Sequence, residues 1–198
     1  SLRCVALKER PIEGRAASMS SDRRIILFTA MEPSGDAHAA PVIEEITRRF
    51  VGDPDLANLP RKFKSAITGH PSLDVVHEIN DISLVGVVHP ELGPGYDLWV
   101  GGGLSTAPRL AERLGVFVPA DRAADVWLAV ITLFRDYGYR RLRTKARLKF
   151  LMAEWGPERF REVLETEYLR APLPDGPAPA AARGAGDHVG VHRQKDGL

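Results

Sequence analysis

Four short β-prone runs stand in a row with helical stretches on either side, and that succession constrains the fold more than any other feature of the chain. The runs are Lys62 to Thr68, Asp74 to Asn80, Ile82 to His89 and Tyr96 to Val100. Gly, Pro, Asn and Asp clusters bound them, as they bound strands. An earlier run, Arg24 to Ala30, meets the turn formers Glu32-Pro33-Ser34-Gly35-Asp36 and then a helical stretch, Pro41 to Phe50. Strand, Gly-containing turn, helix opens many nucleotide-binding folds, but a single Gly far more often marks a plain βα turn. Ser105, Thr106 and Pro108 read as the start of a helix that runs to Leu114, with Gly115 as its stop. The clearest helix starts at Asp121 and ends at Gly138. Val126, Trp127, Val130, Leu133 and Phe134 recur there at helical spacing, so one face is apolar and belongs to a core. After Gly156-Pro157 a last helix carries Phe160, Val163, Leu164 and Tyr168.

At 198 residues the chain has room for one large domain, or one domain with tails. Its net charge of +1 argues against a nucleic-acid or membrane role for the whole protein. No apolar run is long enough to span a bilayer. Lys8, Glu9, Arg10 and Glu13 break any signal-peptide pattern at the front, so a cytoplasmic location is expected. The single cysteine, Cys4, cannot by itself hold a structural zinc or an iron–sulfur cluster. Ser1 to Asp22 is polar and aperiodic and reads as a flexible leader. Beyond Leu169 the composition turns to Pro, Ala and Gly, as in a linker. The chain stops at Asp196-Gly197-Leu198, a hairpin signal with no second strand, which reads as truncation.

Three charged or glycine-rich motifs carry the chemistry. In Leu59-Pro60-Arg61-Lys62-Phe63-Lys64, strand alternation puts Lys62 and Lys64 on one face and Arg61 and Phe63 on the other. Two ammonium groups so close repel unless an anion lies between them. The motif is either a solvated edge strand protected by lysine or a site for a small oxyanion or anionic cofactor. Gly101-Gly102-Gly103 is either a flexible loop or a place where backbone passes close to a bulky ligand. The run from Arg140 to Lys149 reads as a solvated helix start, a nucleic-acid patch, or a group of Arg forks for a carboxylate-rich cofactor. His70, His77 and His89 fit no compact metal-ligand spacing.

Several of these segments, taken in order, resemble one family. They are 58–64, His77-Glu78-Ile79-Asn80-Asp81, 97–105, 134–141 and Lys145-Ala146-Arg147-Leu148-Lys149-Phe150. The family is the sirohaem-containing, ferredoxin-dependent sulfite and nitrite reductases, and the likeness runs from about Pro41 to Leu198. The resemblance implies an α+β fold of layered α/β type, forming the sirohaem and 4Fe-4S half (41–170), then a linker and the start of a ferredoxin-like domain (171–198). It implies six-electron reduction of sulfite to sulfide, or of nitrite to ammonia, with ferredoxin as electron donor. Lys62 and Lys64 match the pair that binds the oxyanion and helps deliver protons. Arg61 matches a residue on sirohaem carboxylates, and Asn80, Gly101, Gly102, Gly103 and Lys195 match groups near the macrocycle. The family's paired cysteine motifs are missing, so no residue here is expected to bind metal. Residues 1–40 do not resemble the family. An internal fragment behind an unrelated leader, inactive alone, is therefore expected. The alternatives are a nucleic-acid-binding module built on Arg140 to Lys149 and, on Glu32 to Asp36 alone, a likeness to lipid-A-disaccharide synthases.

Overall fold

The computed structural model describes residues 27–29, 39–69 and 75–180. Cys4, Glu32 to Asp36, His70, Lys195 and the half-hairpin at the end lie outside the described residues. One five-stranded sheet runs in sequence order. Strands β1 (Leu27–Thr29) and β2 (Lys64–Thr68) are parallel, with helix α1 (Ala39–Phe50) between them in the chain. Strand β3 (Ile82–His89) is parallel to β2, and β4 (Gly93–Val100) and β5 (Glu112–Pro119) follow antiparallel. Helices α2 (Ala123–Tyr137) and α3 (Leu148–Val163) complete the fold, and a π-helical turn, Leu164–Leu169, continues α3. This is the mixed α+β architecture that the resemblance implies.

Alternation along the strands decides which face meets the helices. Ile82, Leu84, Tyr96, Leu98, Val100, Val116 and Val118 join Val126, Trp127, Val130, Leu133 and Phe134 of α2 in one buried core. The rings of Phe50 and Phe63 pack on Trp127, and Phe63 also stacks on Phe134. The Trp127 indole N–H donates to Ser65 Oγ at 2.8 Å, so this large ring is buried without losing its hydrogen bond.

Four expectations from the sequence fail. No helix occupies 105–114: residues 104–110 form an exposed irregular loop and β5 begins at Glu112. Gly115 does not stop a helix. It sits inside β5 at φ +72°, where the register against β4 shifts between Asp97 and Trp99. A β-bulge with a left-handed residue suits Gly. Within Asp74 to Asn80 the described residues form no strand but a 3-10 turn, His77–Ile79. Asn80 Nδ2 donates to Val76 O at 2.9 Å and Ser83 Oγ to His77 O at 2.6 Å, and such local bonds compete with a sheet ladder. The strand expected from Lys62 begins at Lys64.

The linker-like stretch past Arg170 is bonded to the sheet over its first residues. Phe117 N donates to Pro174 O at 2.7 Å and Gly176 N to Gly115 O at 3.0 Å. Asp175 bridges Val116, and its carboxylate meets Arg161 at 2.7 Å. The β5 edge is thereby covered.

Candidate anion site around Asp81

The first residue of β2 and the residue just before β3 meet at Asp81. Its backbone N donates to Lys64 O at 3.0 Å, and its carboxylate accepts from Lys64 N at 2.9 Å. Its carbonyl accepts from Gly101 N at 2.8 Å at the end of β4. The side chain is fully buried and takes a fork from Arg147, with Nε at 3.0 Å from Oδ1 and Nη2 at 2.8 and 2.7 Å from Oδ1 and Oδ2. Arg147 stands in extended conformation just before α3 and is itself 5% exposed. Asp81 therefore ties β2 and the start of α3 through its carboxylate, and the end of β4 through its main-chain carbonyl. Burial pushes the Asp81 carboxyl above its ordinary value, and the Arg147 guanidinium and the Lys64 N–H oppose that push.

Cations crowd this hub. Lys64 and Lys149 both feel Asp81 and Arg147; Lys62 adds to the field at Lys64, and Arg61 and Arg109 add to the field at Lys149. The carboxylate that both lysines feel is Asp81, and Arg147 already occupies it. Among the described residues none of Lys62, Lys64, Lys149, Arg61 and Arg109 forms an ion pair, so there the cluster carries an excess of positive charge, the condition for attracting an anion. Lys62 is exposed. Lys64 is half-buried, and its Nζ donates to Ile79 O at 2.9 Å. Burial, first, and the neighbouring cations lower the Lys64 ammonium from its ordinary value. Phe63, between them, turns into the core. Arg61 Nη1 donates to Arg143 O at 2.8 Å, its one hydrogen bond among the described residues, and a guanidinium has further N–H groups with which to meet an anion.

The remaining expected site residues frame this corner. Asn80 caps the 3-10 turn through its amide. Gly101, Gly102 and Gly103 are buried, and their N–H groups bond Asp81 O, Asn80 O and Arg109 O. A Cβ on Gly101 would run into the Met152 side chain, and one on Gly102 into Glu78 O. The chain's own close packing thus accounts for these two glycines, rather than loop flexibility.

Sequence reasoning missed Asp81, Arg109, Arg147 and Lys149 as individual residues. Arg147 and Lys149 lie in a basic run for which a solvated helix start is one of three readings, and both are buried. The one available signal was apolar Ala146 and Leu148 interleaved with them.

The donor set suits part of the family's cofactor chemistry. A cationic corner fits the many carboxylates of sirohaem, and Arg forks fit them in pairs. It does not fit an iron–sulfur cluster, which takes several thiolates, while the chain has one cysteine. Among the described residues no helix is long and apolar enough to cross a membrane.

Comparison with known proteins points the same way. The nitrite and sulphite reductase 4Fe-4S domain family matches residues 28–173. A sulfite reductase (ferredoxin) of Mycobacterium tuberculosis is 64% identical over 156 residues, covering 79% of this chain and 28% of that protein. An assimilatory ferredoxin-dependent nitrite reductase of Haloferax mediterranei is 37% identical over 174 residues, covering 79% of this chain and 30% of that protein. The solved structure of the Mycobacterium tuberculosis NirA protein superposes with a TM-score of 0.75 at 56% identity, over 89% of this chain and 32% of that one. The chain thus spans about a third or less of the length of these relatives. With the family match covering most of the chain and the same fold found at high identity, this protein belongs to the nitrite and sulphite reductase 4Fe-4S domain family.

Proposed function

We propose that the chain supplies one wall of the active site of a ferredoxin-dependent assimilatory reductase acting on sulfite or nitrite in the cytoplasm. The observation that carries this reading is the excess of cations at the start of β2, set in a chain of this family. Sirohaem, when bound, supplies the iron and electron path for a six-electron reduction. The 4Fe-4S cluster takes its thiolates from residues other than these.

In this reading Lys62 and Lys64 bind the oxyanion as point charges. As its oxygens leave as water, each departure consumes protons. An ammonium lowered by burial, as at Lys64, gives up a proton more readily than an exposed one. The Ile79 carbonyl holds Lys64 Nζ in place, so little reorganisation accompanies the transfer. Arg61, anchored on Arg143 O, turns its further N–H groups toward cofactor carboxylates. Asn80, Gly101, Gly102 and Gly103 shape the corner through close backbone packing, and Lys195 stays assigned to the macrocycle's surroundings.

The test is substitution of the lysines in the cofactor-loaded protein. Lys64→Met and Lys62→Met should each cut turnover by about 100-fold or more while sirohaem content stays near that of the parent. Unchanged turnover, or loss of cofactor in step with loss of activity, overturns the assigned role.

A further inference from the structure

Residues 104–110 are exposed throughout, yet two of them hold left-handed backbone without being Gly: Ser105 at φ 77° and Ala107 at φ 53°. Each such residue costs about 1 kcal/mol or more. An exposed loop has little packing of its own to sustain that cost. Its support lies beneath it. Lys149, in the first turn of α3, is 2% exposed. Its Nζ reaches the carbonyl oxygens of Thr106 and Ala107 at 2.8 Å and those of Gly103 and Leu104 at 3.2 Å. An ammonium has three protons, so four carbonyls share them and form a coordination shell around one charge.

Residues 103–107 curl tightly enough to turn all four carbonyls onto a single point, and within that curl Ser105 and Ala107 take positive φ. Burial disfavours the Lys149 charge, and the neighbouring Arg147 adds to that. The Asp81 carboxylate nearby is already held by Arg147. The loop dipoles are therefore what offsets the desolvation of this ammonium. Strain in the loop and burial of the lysine offset one another.

We propose that Lys149 is a positioning residue whose buried ammonium templates the strained 103–107 loop and so sets Arg109 on the rim of the cation cluster. The link to Arg109 is a reciprocal pair: Gly103 N donates to Arg109 O at 2.9 Å and Arg109 N to Gly103 O at 3.0 Å. Only the catalytic meaning of Arg109 rests on the proposed reductase function; the clamp itself does not.

The experiment uses the cofactor-loaded protein and Lys149→Met, which removes the charge and keeps the stem. Tryptic cleavage between Arg109 and Leu110 should speed up by about tenfold or more, because the loop opens locally. KM for the oxyanion should rise severalfold with kcat changed much less, the mark of a lost binding contact. Ala107→Gly relieves the strain, so it should raise the Tm of the parent and give no such gain alongside Lys149→Met. Unchanged cleavage, or the same effect of Ala107→Gly in both backgrounds, overturns the clamp. Where Lys149→Met does not fold, Ala107→Gly and Ser105→Gly in the parent decide alone: a raised Tm supports the strained loop and a lowered one refutes it. Failure of these arms leaves the reductase function standing. The reductase function is judged by the Lys62 and Lys64 variants, and the cleavage and stability arms judge the clamp.

Discussion

Two halves of one basic run meet opposite fates. Arg140, Arg141, Arg143 and Lys145 are exposed. Ala146, Arg147, Leu148 and Lys149, directly following, are buried. The first half spans the link after α2 and bonds mainly to main-chain carbonyls: Arg140 to Asn58 O and Arg135 O, while Arg143 offers its own carbonyl to Arg61. The second half enters the protein and ends on Asp81 and on the carbonyl shell of loop 103–107. The difference teaches that a charge run is not one object. What separates solvated from buried cations here is the availability of a buried acceptor, and α3 starts where those acceptors lie. It also weakens the nucleic-acid alternative, since Arg147 and Lys149 are not available to phosphates.

The largest expected effect comes from breaking the buried half. Asp81→Ala leaves Arg147 buried without its partner, and should cost about 3–5 kcal/mol in denaturant unfolding. Removing both partners together should cost clearly less than the sum of the single losses, since the coupling lies in the pair. Additive losses would mean that Asp81 and Arg147 act separately and that the hub is not one unit.

In the exposed half the effects should shrink. Arg140→Ala loses its contacts with Asn58 and Arg135 O and should cost about 1 kcal/mol. Arg141→Ala and Lys145→Ala should each change stability by under about 0.5 kcal/mol. A loss at either comparable to that of Asp81→Ala would erase the contrast between the halves.

A further small effect concerns pH. Hydrogen bonding from Arg135, first, and the nearby charges hold the Asp136 carboxyl below its ordinary value of 3.8. The native state then binds fewer protons than the unfolded chain between the two values. The contribution is therefore complete above 3.8 and is lost as pH falls through the folded value. Because the pair is largely exposed, solvent screening keeps it under about 1 kcal/mol. Asp136→Asn should lower Tm slightly at neutral pH and leave it unchanged in strong acid. A difference that persists in acid would assign the effect to something other than this charge.

Much of the fold was legible. The apolar stripe of α2 has its period written in Val126, Trp127, Val130, Leu133 and Phe134. The Ile82 to His89 run matches β3 residue for residue. The break at Gly156-Pro157 is the kink inside α3, where Gly156 lies at φ +73°. These are local signals. The helix wrongly expected over 105–114 rested on local signals too. Ser105, Thr106 and Pro108 do look like a helix start, but pairing with β4 claims residues from Glu112 onward, and the carbonyl shell of Lys149 claims the residues before them.

The sequence by itself determined the strand and helix material, the likeness to the reductase family and the cation excess near Lys62 and Lys64. Tertiary structure alone decided that Arg147 and Lys149 are buried, that Asp81 joins β2, β4 and α3, and that the three glycines pack against the chain itself. The physical reason is that periodicity and turn chemistry act over a few residues. The partner that makes a buried charge tolerable lies 66 residues away for Arg147 and more than 40 for Lys149, so only the folded chain reveals it. The motif Leu59 to Lys64 stands between the two: its charges are written locally, but their direction depends on Phe63 entering the core and on Asp81 receiving the backbone of Lys64.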